Sequence, residues 1–311
     1  MATVAPTARS PREGPPRGRV RDPAEARGLG YALVAPVVLV LLAITAFPFA
    51  YNLWNSVHHV DLLEPGSHPF VGLENYRALL SDPDFRATFV RTMGYTVISV
   101  AIELVIGLGL ALVIHERFRG RGVVRAAILI PWAVPTVVSA MLWKTMFDPQ
   151  SGFVNYLLGL LHLPGADTTW LAGTWTAWAA ILVADAWKNT PFMAILLLAG
   201  LQVIPDELLE AARVDGATWW ESFRRVTLPL LRPALMVALI FRTLSAFLIF
   251  DVIYIMTGGG PGSSTETLSY VNWRAFLVQT DFGAGGAISV VLVFMALAIA
   301  GVYISALRSE T

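Results

Sequence analysis

The sequence predicts an all-α membrane protein with six transmembrane helices and both termini on the cytoplasmic side. Three observations predict it. The chain has 311 residues, 56% of them hydrophobic and 14% charged, with a mean hydropathy of +0.62, which is more apolar side chain than one globular core can hide. Apolar runs long enough to cross about 30 Å of hydrocarbon, roughly 20 residues each, recur along the chain. Lys and Arg are divided very unevenly between the connectors.

The first span starts at Gly28. No charged residue occurs from Gly28 to Val60, and the run from Gly28 to Tyr51 is apolar throughout. Its length, the arginines running up to Arg27 and the lack of a small-x-small site after it argue for a retained helix over a cleaved signal peptide. The second span, Thr92 to Ile114, is broken only by Glu103, and the third, Ala126 to Trp143, is uncharged. The fourth, Trp175 to Val203, carries Asp185 and Lys188; the fifth, Pro233 to Met256, carries Arg242 and Asp251; the sixth, Phe282 to Leu307, is uncharged. The run "GFVNYLLGLLHL" from Gly152, stopped by Pro164, is too short to cross and predicts an interfacial helix.

Sidedness follows from the short loops. Arg9, Arg12, Arg17, Arg19, Arg21 and Arg27 precede the first span, Arg117, Arg119, Arg121 and Arg125 fill the second connector, Arg213, Arg224, Arg225 and Arg232 the fourth, and Arg308 follows the last span. These fifteen oppose five on the other side, Arg77, Arg86, Arg91, Lys144 and Arg274. The arginine-rich side is therefore the cytoplasmic one. Residues 1–27, with five prolines and six arginines, read as a disordered basic cytoplasmic tail, and residues 28–311 as one six-span transmembrane domain.

Several chemistries are excluded. With no cysteine there is no disulfide framework, thiolate site or cysteine nucleophile. The five histidines make no metal-binding pattern and join no serine and acid into a catalytic set, so neither a metal nor a catalytic residue is expected. The net charge of zero is itself uninformative, since the polarity lies in its distribution across the membrane; no nucleic-acid partner is expected. The run Gly258, Gly259, Gly260, Pro261, Gly262 has no following lysine, since the two lysines are Lys144 and Lys188, so it is not a phosphate loop. It lies on the outer side and reads as a flexible connector.

The fourth connector interrupts this apolar chain with "EAARVDGATWWESFRRVTLP", Glu210 to Pro229. Pro205, Asp206 and Glu207 suit the first turn of a helix, and Asp215-Gly216 suits its end. Thr218 and Glu221 have capping-box spacing for a second short helix, with Trp219, Trp220, Phe223 and Val226 on its apolar side and Pro229 closing it. Two short helices joined at a glycine are predicted over about 205–229. Physics alone leaves two readings open, a docking element and an amphipathic hairpin resting on the bilayer.

Glu210-Ala211-Ala212, Gly216 and the later Val226-Thr227-Leu228-Pro229 resemble the "EAA" loop of permease subunits in binding-protein-dependent ABC importers, with Val226 where Ile is usual. "FVGLENY" (Phe70 to Tyr76), "WKNTPF" (Trp187 to Phe192) and "FDVIYIMTGGGPGSSTETL" (Phe250 to Leu268) resemble the maltose and trehalose type. The resemblance covers nearly everything from the first span onward. It implies the type I permease fold of ABC importers and a coupling role for Glu210, Ala211, Ala212, Asp215, Gly216, Leu228 and Pro229. It also implies a second homologous permease subunit, two copies of a cytoplasmic ATPase that carry the ATP and magnesium, and an extracytoplasmic solute-binding protein. Gly258 to Pro261 would then lie near the outer gate. No cofactor is expected on this chain, which would reside in the cell membrane.

Charges inside the spans need partners or a polar cavity, at about 2.5–3.5 kcal/mol each on insertion scales. Asp185 and Lys188, three residues apart, are spaced to pair on one helix face. Arg242 and Asp251 lie about 180° apart on a helix and cannot serve each other. Glu103 suits an interhelical hydrogen bond in its protonated form. A sugar needs planar hydrogen-bonding groups and aromatic faces, so the pathway candidates are Trp187, Lys188, Asn189, Ser245, Phe250, Asp251 and Tyr254. A di- or oligosaccharide such as trehalose or maltose is the expected cargo, with glycerol phosphate or an amino sugar as alternatives. A secondary transporter is the rival class, for which an inverted repeat and matched broken spans would speak; the sequence displays neither.

Overall fold

In the computed structural model residues 23–308 are described, except 64, 65, 67 and 117. The expected tail lies outside the described residues up to residue 22, and helix begins at Pro23, inside the segment assigned to that tail. Among the described residues the structure is helical, with two isolated bridges, His58 to Phe70 and Asp61 to Asp281.

The chain divides into two units, residues 1–51 and 52–311. The first is most of helix α1 (Pro23–Ser56), whose interior prolines Pro36 and Pro48 are tolerated in a membrane helix. Side chains from Tyr31 to Ala50 are exposed, a surface apolar enough for hydrocarbon.

The second unit begins with the last turn of α1. The "ENY" of the quoted motif ties that turn down: Asn75 Nδ2 donates to the Ser56 and His58 carbonyls at 3.0 and 2.9 Å, and Tyr76 donates to Ser56 Oγ at 2.7 Å. Helix α2 (Glu74–Ser81) leads to α3 (Pro83–His115), where Asp82 caps the start by accepting from the Asp84 N–H at 2.9 Å and Pro83 takes the first position.

The fourth expected span is α7 (Thr174–Leu201), the most enclosed of the long helices, with 61% of its apolar window buried against 33% for α3. It is the axis on which α3, α4 (Arg121–Ala133) and α10 (Leu228–Phe247) pack. Gly200 lets α10 approach, because a Cβ there would lie 2.3 Å from Ala234 Cβ. Helix α13 (Phe282–Arg308) closes the set against α10 and α12 (Leu268–Leu277).

Two spans depart from the sequence expectation. The third is broken: α4 and α5 (Thr136–Met146) meet at 91°. Pro131 and Pro135 explain it, since neither has an N–H for the ladder and Val134, preceding a proline, sits at φ −70°, ψ 133°. The fifth span is broken as well, between α10, ending at Phe247, and α11 (Asp251–Met256). No Pro or Gly marks this break; Thr267 Oγ1 stabilises it by donating to the freed Ile249 carbonyl at 3.0 Å. The continuous third and fifth spans expected from the sequence are thus corrected. Helix α6 (Phe153–Leu160) is the short element expected after Gly152.

Candidate functional site

The expected joint forms two helices, α8 (Asp206–Val214) and α9 (Trp219–Ser222). Gly216, at φ +79°, ends α8: its N–H reaches the Arg213 carbonyl at 3.1 Å and the Ala217 N–H reaches the Ala212 carbonyl at 2.9 Å. This paired closure needs a left-handed residue, which glycine adopts without Cβ strain. Two residues later Thr218 and Glu221 form the capping box, with Glu221 Oε2 accepting from the Thr218 N–H at 2.9 Å. Nothing is left slack between the helices. Glu210, Ala211, Asp215, Gly216 and Pro229 are exposed, whereas Ala212 and Leu228 are half-buried.

Pro229 does not close the second helix, contrary to the sequence reading. A π-helical turn, Phe223–Thr227, carries α9 directly into α10, giving one continuous helix from Trp219 to Phe247. The wider turn bonds the Leu228 N–H to the Phe223 carbonyl and absorbs the donor that Pro229 lacks. Phe223 is buried and stacks with Trp219 at 5.6 Å and with Trp220 at 5.5 Å, while both tryptophans stay exposed. The α9 half of the joint is therefore continuous with the fifth span.

The intramembrane charges are arranged differently from their local spacing. Arg242 on α10 donates through Nε and Nη2 to both oxygens of Glu103 on α3, and through Nη2 to Asp185 on α7. All three side chains are at most 4% exposed. Asn189 donates to Asp185 Oδ1 at 2.8 Å. Asp185 thus serves Arg242 and Asn189, and the expected Asp185–Lys188 pairing gives way to it; Lys188 instead donates to the Val134 carbonyl at 2.5 Å. The interhelical partner of Glu103 is the Arg242 guanidinium, which donates to both of its oxygens. A planar fork shared by two carboxylates suits Arg, and it fastens three spans at one point.

Of the other pathway candidates, Phe250 and Tyr254 stack at 5.4 Å beside the break in the fifth span, with Trp273 edge-on to Tyr254 at 4.9 Å. Tyr254 is 44% exposed. Asp251 begins α11 and is exposed, on a different helix from Arg242. Ser245 spends its hydroxyl on the Phe241 carbonyl at 2.8 Å. Trp187 lies apart in a second ring set, edge-on to Trp143 at 5.8 Å. Trp273, and Trp143 at the end of the third expected span, were not among the pathway candidates.

The Gly258 to Pro261 run is a pinned turn, not the flexible connector expected. Tyr270 donates to the Gly258 carbonyl at 2.8 Å, the Thr265 N–H to the Gly259 carbonyl at 3.0 Å and Thr265 Oγ1 to the Gly260 carbonyl at 2.7 Å. A Cβ on Gly259 would lie 2.8 Å from Glu266 Cγ. Glu266 pairs with Arg274, and burial pushes its carboxyl above the usual carboxylate range against that pull.

Buried ions fastening several spans, two interrupted spans and an exposed joint running into one of them define a multi-pass membrane protein. The chain belongs to the family of binding-protein-dependent transport system inner membrane components, whose sequence profile matches residues 103–308. It is 44% identical over 277 residues to the trehalose/maltose transport system permease protein MalF of Thermococcus litoralis, covering 89% of this chain and 92% of that one. It is 41% identical over 278 residues to the trehalose transport system permease protein SugA of Mycobacterium tuberculosis, covering 89% and 88%. In fold it matches a chain of a bacterial ABC transporter that imports the acidic polysaccharide alginate, with a TM-score of 0.79, 23% identity and coverage of 92% and 97%.

Proposed function

We propose that this chain is one permease subunit of an ATP-driven importer that moves a trehalose- or maltose-like sugar into the cytoplasm by alternating access. The observation that carries it is the 44% identity to a trehalose/maltose permease over nearly the whole of both chains. A second homologous permease supplies the other half of the pathway. Both termini and the joint lie in the cytoplasm, where the 205–229 element docks one of two ATPase subunits that hold ATP and magnesium. A solute-binding protein delivers the sugar from outside, near the Gly258 to Pro261 turn, and the chain itself binds no cofactor. Tyr254 and Phe250 beside the interrupted fifth span offer the aromatic face a sugar needs.

Rigidity gives the mechanism. Closure of the ATPase subunits displaces α8 and α9; because α9 runs unbroken into α10, the displacement becomes rotation of the fifth span, and with it the break beside Tyr254. The test is purification with the partner subunits. Glu210→Ala is expected to leave this chain folded, since Glu210 is exposed, while weakening ATPase retention by about 2–5 kcal/mol. Full retention and full uptake in that variant would return the joint to a bilayer-surface hairpin.

A further inference from the structure

Among the described residues Lys188 forms no ion pair with a carboxylate; its ammonium ends on backbone. Nζ lies 2.5 Å from the Val134 carbonyl and 3.5 Å from that of Trp132, across 54 and 56 residues. These carbonyls terminate α4, where the third span turns through 91° and where Pro135 brings no N–H. Inside a bilayer a freed carbonyl has no water to turn to, so an interrupted span is stable only where another group donates to it. A cation at a helix C-terminus also opposes the negative end of the dipole.

The second lysine does the same thing elsewhere. Lys144, near the end of α5, donates to the Ile255 carbonyl at 3.0 Å, in the last turn of α11. Against twenty arginines the chain has two lysines, and both end on terminal carbonyls of the half-helices of its interrupted spans. The choice of residue is physical: a guanidinium fork suits a carboxylate, as in Arg242, whereas a compact ammonium with three rotatable donors can converge on single carbonyls.

We propose that Lys188 is a positioning residue for transport that clasps the hinge of the third span to the fourth, with Lys144 fastening α5 to α11 so that the two outer half-helices move together. As a role in transport this rests on the importer reading above; as a clasp it does not.

The chain has no cysteine, so Val138→Cys on α5 and Val183→Cys on α7, both about half exposed, can carry a pair of spin labels. Distances would be measured in the importer purified with its partners. A single narrow distribution is expected with Lys188, a broadened or displaced one with Lys188→Met, and a near-native one with Lys188→Gln, whose amide still donates. An unchanged distribution in Lys188→Met overturns the clasp; should that variant fail to accumulate, folded Lys188→Gln decides instead, a near-native distribution supporting the clasp and a broadened or displaced one overturning it. In uptake, Lys188→Met is expected to lower the maximal rate on the order of ten-fold, the weight of one charged hydrogen bond, with half-saturation within about two-fold of native. Raised half-saturation at an unchanged maximal rate would make Lys188 a sugar contact instead. If the native assembly moves no sugar, the importer reading fails while the distances still decide the clasp.

Discussion

Arg242 on α10 grips Glu103 on α3 with two nitrogens, Nη2 to Oε1 at 2.7 Å, across 139 residues of chain, and spends a further bond on Asp185 of α7. A buried pair contributes little net stability over an apolar replacement, but removing one partner is costly because the other charge is stranded. Arg242→Met leaves two buried carboxylates facing each other and is expected to cost about 3–5 kcal/mol, read as loss of folded protein in detergent. Glu103→Gln should cost less, as its amide oxygen still accepts and Arg242 keeps Asp185. Arg242→Lys should not restore stability, since an ammonium cannot form the parallel pair of bonds.

Gly216 is held at φ +79° with nothing within 4 Å of the position a Cβ would take, so a side chain there meets strain and no clash. Gly216→Val is expected to cost about 1–2 kcal/mol and to uncouple ATP hydrolysis from uptake, whereas Gly216→Asn should be near neutral, because Asn tolerates the left-handed region. Equal loss in both variants would mean that the space, not the conformation, matters.

Neighbouring glycines in the pinned turn should behave differently. Gly258, at φ +59°, has open space around it, while a Cβ on Gly259 would lie 2.8 Å from Glu266 Cγ and 2.9 Å from Tyr270 Cε1. Gly259→Ala is expected to lower thermal stability by more than Gly258→Ala, in a melting comparison of the two variants.

Sugar access separates the pathway candidates. Tyr254→Cys should react with a small membrane-impermeant thiol reagent in at least one state of the cycle, with labelling that changes when ATP and sugar-loaded binding protein are added. Asn189→Cys should stay protected and instead destabilise the chain, because Asn189 serves Asp185. Reversed labelling would move the pathway from the fifth span to the fourth.

The spans were legible because apolar length is a local property, and so was the joint, whose Gly216 closure and Thr218–Glu221 box are read within a few residues. The ion network was not. Local spacing pairs Asp185 with Lys188, yet the fold brings Arg242 from 57 residues away and sends Lys188 to the Val134 carbonyl. Isolated charges of opposite sign in different spans, Glu103 and Arg242, were the available signal. Pro131 and Pro135 marked the break in the third span, whereas the break before Asp251 is stabilised by Thr267, 18 residues beyond the carbonyl it bonds, and leaves no local mark. Pro229 misled because a π-helical turn accommodates it.

The most direct measurement is uptake of radiolabelled trehalose into liposomes that hold this chain with its partner permease and ATPase, with ATP inside and the solute-binding protein outside. Accumulation that requires both ATP and the binding protein, and that Glu210→Ala abolishes or uncouples, is the expected result. Trehalose accumulation by this chain alone, driven by a proton gradient and indifferent to ATP, would contradict it.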